Sequence, residues 1–110
     1  MIPRAEFDRV RAAGASADAR LALLAETFEV NCAPHNYYSH LATFISAQWC
    51  AAIPNARILE YDVDDVPWRD ELVSAVPEIS AGELGIPSGS GWGVEIDEDV
   101  LRAHPWPDWS

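Results

Sequence analysis

Apolar residues at Ala17, Leu21, Leu24 and Phe28 recur at helical spacing, with Arg20 and Glu26 off that stripe. Ser16 is placed to cap the helix, and Asp18 lies near the N-terminus, where the helix dipole favours an acid. The spacing therefore predicts a helix from about Ser16 to Thr27. Residues 28–32 then read as a strand stopped by Ala33-Pro34, with His35-Asn36-Tyr37-Tyr38 as a loop. A second stripe follows at Leu41, Phe44, Ile45, Gln48, Trp49 and Ala52, capped by Ser39 and halted by Pro54-Asn55. Residues 56–61 form the next strand candidate. An earlier one, residues 6–10, runs into the turn Arg11-Ala12-Ala13-Gly14. Strand, helix, strand, helix, strand is the order of an α/β protein whose parallel strands are joined by right-handed crossovers.

Beyond Asp62 the pattern changes. Residues 67–76 read as a short helix, residues 78–86 as a hairpin turning at Ala81-Gly82, and residues 87–93 as a glycine-rich loop. Residues 97–103 suggest a last helical turn or two, followed by a loose Pro- and Trp-containing tail. Residues 1–62 thus carry the strand–helix units, and residues 63–110 form a covering segment of the same domain.

Composition narrows the partners. A chain of 110 residues that is 49% hydrophobic is one domain or a piece of one. Its formal charge of −11 sets it against nucleic acid and anionic membranes. All seven positive charges are arginine, so a lysine base, a Schiff base and a P-loop lysine are excluded for this chain. The first residues lack a signal peptide's basic start and apolar run, and no apolar stretch approaches the roughly 20 residues of a membrane span, so a cytoplasmic location is expected. Cys32 and Cys50 are then expected as reduced thiols.

Candidate chemistry comes from position. Asp8, His35 and Glu60 each stand where a predicted strand ends, and parallel strands bring such ends to one rim. A carboxylate bonded to one imidazole nitrogen fixes the tautomer and leaves the other nitrogen as general acid or base. His40, at the start of the second helix, competes with His35 for that role. Cys32, His35, His40 and Cys50 lack the spacing of a closed zinc finger. Asp62, Asp64 and Asp65 lack the glycine of an EF-hand loop, since Pro67 occupies its place, so a solvated acidic loop is favoured. Ser88-Gly89-Ser90-Gly91 has no lysine after it and reads as a rim loop, not a phosphate cradle.

The run from Asp8 to Gly14, then Ala33-Pro34-His35-Asn36, Ile58-Leu59-Glu60 and Pro87…Gly91-Trp92-Gly93, resembles the C-terminal barrel portion of the mandelate racemase/muconate lactonizing enzyme subgroup of the enolase superfamily. Asn55 followed by Glu60 also resembles a frequent pattern there. The resemblance implies about three parallel strands of a (β/α) barrel, with Asp8 and His35 as a catalytic dyad. It implies that Glu60 hydrogen-bonds the substrate carboxylate as it becomes an enediolate, with Asn36 and His40 as candidate substrate contacts. It further implies magnesium and an acid-sugar substrate, and Ala-Pro-His-Asn looks more like the dehydratases than the racemases. Two features depart from the pattern: Ala13 stands in place of the first glycine of a pair, and Ser90 in place of a proline.

The strands that would carry the metal-binding carboxylates and the lysine motif are absent from these residues, so no metal ligand is assigned. Three expectations follow. The chain is a C-terminal fragment of an acid-sugar dehydratase or racemase, inactive alone and in need of the N-terminal half or of self-association. Alternatively, a separate chain completes a split enzyme. Or it is a non-catalytic α/β binding or scaffold module.

Overall fold

The computed structural model describes residues 17–64 and 66–105. The expected first strand, Asp8, the Ser16 cap, Asp65 and the residues after Pro105 lie outside them.

Helix α1 (Ala17–Thr27) ends in a Schellman arrangement. Glu29 N donates to Glu26 O at 2.9 Å and Val30 N to Ala25 O at 2.9 Å, with Glu29 left-handed at φ 56°. Phe28, Glu29 and Val30 are therefore consumed by the helix cap, and the strand expected from Phe28 shrinks to Cys32. The buried side of α1 also differs from the expected stripe. Ala19 and Ala22 are buried, whereas Leu21, Leu24 and Phe28 are exposed. Close backbone approach explains this: Asn55 Nδ2 donates to Ala22 O at 2.9 Å and to Val30 O at 3.0 Å, which only small side chains on that face of α1 permit.

The connection between the two inner segments is parallel, as expected, but it is one bridge and not a full ladder. Cys32 pairs with Ala56, with Cys32 N donating to Asn55 O and Arg57 N to Cys32 O, both at 2.8 Å. The next donor in that register would be the main-chain nitrogen of Pro34, which has no hydrogen. The ladder stops there. Two residues later the same register resumes through side chains, because Asn36 bonds Glu60.

Helix α2 (His40–Ala52) is capped by Ser39, whose side chain accepts from Ala42 N, as its sequence predicts. Its buried face is His40, Thr43, Phe44 and Ala47. Phe44 lies on the expected stripe, but Leu41, Ile45, Gln48, Trp49 and Ala52 are only partly covered. Gln48 Nε2 reaches Pro87 O at 3.1 Å and ties α2 to the glycine-rich loop. Within that loop Gly93 is obligatory: its φ is +81°, and a Cβ there would sit 2.5 Å from Pro87 Cβ.

Residues 67–76 form hydrogen-bonded turns in place of the expected helix. Arg69 N donates to Val66 O and Glu71 N to Trp68 O, while Val73 is drawn into an antiparallel bridge with Ile96. That bridge buries Leu72 and Val73. The hairpin forms where expected, as β1 (Ile79–Ser80) and β2 (Glu83–Leu84), with Ala81 and Gly82 both left-handed. Helix α3 (Glu98–Ala103) closes the described chain, its N-cap Asp97 accepting from Asp99 N and Val100 N.

Candidate active site

His35 follows the proline that ends the Cys32 segment, and Glu60 closes the neighbouring one. The shared register brings them together, with His35 Nδ1 2.5 Å from Glu60 Oε2. That same oxygen accepts the main-chain N–H of Asn36 at 2.7 Å. Two donors thus converge on one carboxylate oxygen, leaving His35 Nε2 and Glu60 Oε1 outside that pairing. His35 also meets the ring of Tyr38 edge-on, with centroids 5.6 Å apart. The side chains of His35 and Glu60 are 65% and 46% exposed, so solvent reaches the pair and screens it.

Asn36 and His40, the expected substrate contacts, are both buried. Asn36 is wholly buried, its Nδ2 donating to Glu60 O at 2.9 Å and to Thr43 Oγ1 at 3.0 Å. His40 is 3% exposed and its Nε2 lies 2.7 Å from Asp70 Oδ1. His40, the first residue of α2 after the Ser39 cap, faces Asp70 of the covering segment. Asp8, expected as the imidazole's carboxylate partner, lies outside the described residues, and among those described Glu60 holds Nδ1.

A second polar group is built around Arg69. Arg69 is buried and donates from Nη1 to Asp64 O and from Nη2 to Asp62 O, both at 2.7 Å. Its guanidinium lies 5.5 Å from the centre of the Tyr61 ring. The Tyr37 hydroxyl donates to Asp64 Oδ2. That bond raises the Tyr37 phenol to about 12, with burial and the charges of Asp64, Asp62 and Glu60 adding to it. His40, Tyr61, Asp62, Asp64, Arg69 and Asp70 line part of a cleft of about 420 Å³. Sequence reasoning marked Asp62 and Asp64 only as an acidic loop. It had no signal for Arg69 or Asp70, whose partners are fixed by folding.

Both cysteines are free and partly covered, and burial, then the nearby Cys32, pushes the Cys50 thiol up. Among the described residues no group of three or more His, Cys, Asp or Glu is arranged to hold a metal ion. These residues therefore do not fit a magnesium site. No described helix is long and apolar enough to cross a membrane.

A conserved-domain profile described as enolase C-terminal domain-like matches residues 5–100. The chain belongs to that family. It is 36% identical over 97 residues to a D-xylonate dehydratase of Haloferax volcanii, a match covering 88% of this chain and 24% of the relative. Among solved structures, one from Burkholderia xenovorans strain LB400 is proposed to be an L-alanine-DL-glutamate epimerase and is bound to magnesium and fumarate. It shares 45% identity at a TM-score of 0.76, over 80% of this chain and 22% of that one. An enolase of the mandelate racemase subgroup from Agrobacterium tumefaciens shares 30% identity at a TM-score of 0.70, over 82% of this chain and 25% of that one. The fold is thus the α/β fold of the enolase C-terminal domain-like family, of the mandelate racemase subgroup. The chain spans about a quarter of the length of the relatives it matches.

Proposed function

We propose that this chain is the acid/base-bearing C-terminal part of a (β/α)-barrel acid-sugar dehydratase. The observation that carries the reading is the His35–Glu60 pair at the ends of two parallel segments, inside a chain that is 36% identical to a D-xylonate dehydratase. His35 Nε2 is the proton-transfer atom. It protonates the departing β-hydroxyl of a sugar acid, or takes the proton α to its carboxylate, while Nδ1 stays on a carboxylate. Glu60 Oε1, when protonated, donates to the substrate carboxylate as charge builds there, an interaction worth most in the transition state. Asp8, with His35, is the catalytic dyad that the family resemblance implies. In this family magnesium would stabilise the enediolate charge, but the described residues hold no cluster of three or more ligand side chains for it, so it would have to be held elsewhere in the assembled protein.

These residues need the remaining barrel beside them, supplied by the rest of the same polypeptide or by another chain. Its length relative to its relatives supports this, as do the uncovered apolar residues Leu21, Leu24, Phe28 and Ile58. A second reading, epimerase in place of dehydratase, is favoured by the 45% identity to the Burkholderia structure. Loss of water and inversion share proton abstraction at the same carbon and differ in whether the β-hydroxyl leaves.

The test is complementation. The H. volcanii D-xylonate dehydratase, deleted for the quarter this chain matches, is co-expressed with this chain and assayed on D-xylonate with magnesium. Turnover is expected, reduced at least a hundredfold by His35→Asn. A stable complex that turns over neither D-xylonate nor an epimerisable acid would end the enzymatic reading.

A further inference from the structure

We infer that Asn36 is the positioning residue of this site, presenting Glu60 to His35 through a brace that runs into α2. The inference rests on the proposed function for the use made of His35, but not for its geometry. The pair is largely exposed, and two solvated side chains do not hold one geometry by mutual attraction alone. The fixing has to come from the interior, and Asn36 is the neighbour that is wholly buried.

Asn36 reaches Glu60 twice. Its main-chain N–H bonds the carboxylate Oε2 at 2.7 Å, and its side-chain Nδ2 bonds the main-chain oxygen at 2.9 Å. The first contact selects the carboxylate rotamer and the second fixes the backbone from which it springs. Nδ2 also donates to Thr43 Oγ1 at 3.0 Å, and that hydroxyl donates to Ser39 O at 3.3 Å. The brace therefore ends on the N-cap of α2. It also stands in for the ladder that Pro34 interrupts, so the two segment tips keep their register without main-chain pairing. A carboxylate held this way keeps Nδ1 of His35 as the protonated nitrogen and Nε2 directed away from it.

The experiment needs no turnover, so its failure is distinguishable from failure of the functional reading. The imidazole nitrogen and ring-proton signals of His35, including the low-field Nδ1 proton, are recorded by NMR on the full chain. Glu60→Gln defines the signals of the broken pair. Asn36→Ala is expected to move His35 at least halfway to them, and Thr43→Val to move it in the same direction by less, with Thr43→Ser restoring the wild-type signals. Should Asn36→Ala fail to fold, the two Thr43 variants decide. Wild-type His35 signals in Asn36→Ala or Thr43→Val, no change in Glu60→Gln, or no rescue by serine would each overturn the assignment.

Discussion

Buried amides do most of the positioning at the scale of single residues. Asn55 resembles Asn36 in this: one side-chain nitrogen satisfies Ala22 O and Val30 O, and so closes the turn after α1 against the start of the next segment. Removing the donor leaves Val30 O without its partner, while Ala22 O keeps its place in the helix ladder, at about 1–3 kcal/mol for a buried group. Asn55→Ala should lower the unfolding free energy by roughly that amount in a urea titration. Tyr37 offers a pH test. Its folded-state value of about 12 lies above the ordinary 10.0, so its hydrogen bond to Asp64 stabilises the fold fully below pH 10 and is lost as pH rises through 12. Ultraviolet titration should show a phenol ionising near pH 12, absent in Tyr37→Phe and shifted back towards 10 in Asp64→Asn.

Caps and breaks, more than propensity, shape the elements. The end of α1 is instructive because a glutamate occupies the left-handed position where glycine is usual, Glu29 at φ 56°. A side chain in that conformation costs about 1–2 kcal/mol. Glu29→Gly should therefore raise stability by about 1 kcal/mol, seen as a higher denaturation midpoint with an unchanged slope. The apolar spacing through Phe28 and Val30 gave a strand, since periodicity carries no record of which residues a cap will consume. In the same way the predicted strand through residues 56–61 pairs at Ala56 and then runs on beside Pro34 without a ladder, because a proline in one strand silences the facing carbonyl in the other.

The apolar surface is unbalanced over the molecule as described. Leu21, Leu24 and Phe28 lie along one side of α1 and are 62%, 57% and 72% exposed, while the larger buried apolar side chains of the described residues are Phe44, Ile53, Leu72 and Val73. Three large side chains facing solvent on one helix favour association. The chain alone should elute as concentration-dependent oligomers, and Leu24→Glu with Phe28→Glu should shift it to a monomer. A monomer at every concentration without these changes would show that the face needs no cover. The net charge of −11 opposes this association, most strongly at low salt.

The sequence by itself determined the family, the two longer helices, the Ser39 cap, the Ala81-Gly82 turn and the nearness of His35 to Glu60. The family follows from the resemblance of several short motifs in one order; the others follow from residue type at short range, or from the rule that successive parallel segments point the same way. Only the tertiary structure decided that α1 turns Ala19 and Ala22 inward, that Asn36 and His40 are enclosed, and that Arg69 seals the Asp62–Asp64 turn. Those outcomes depend on which backbone groups, far apart in the chain, come within 3 Å of one buried side chain. Pattern along a sequence marks which faces are apolar; hydrogen-bond satisfaction in the folded interior selects which of them is covered.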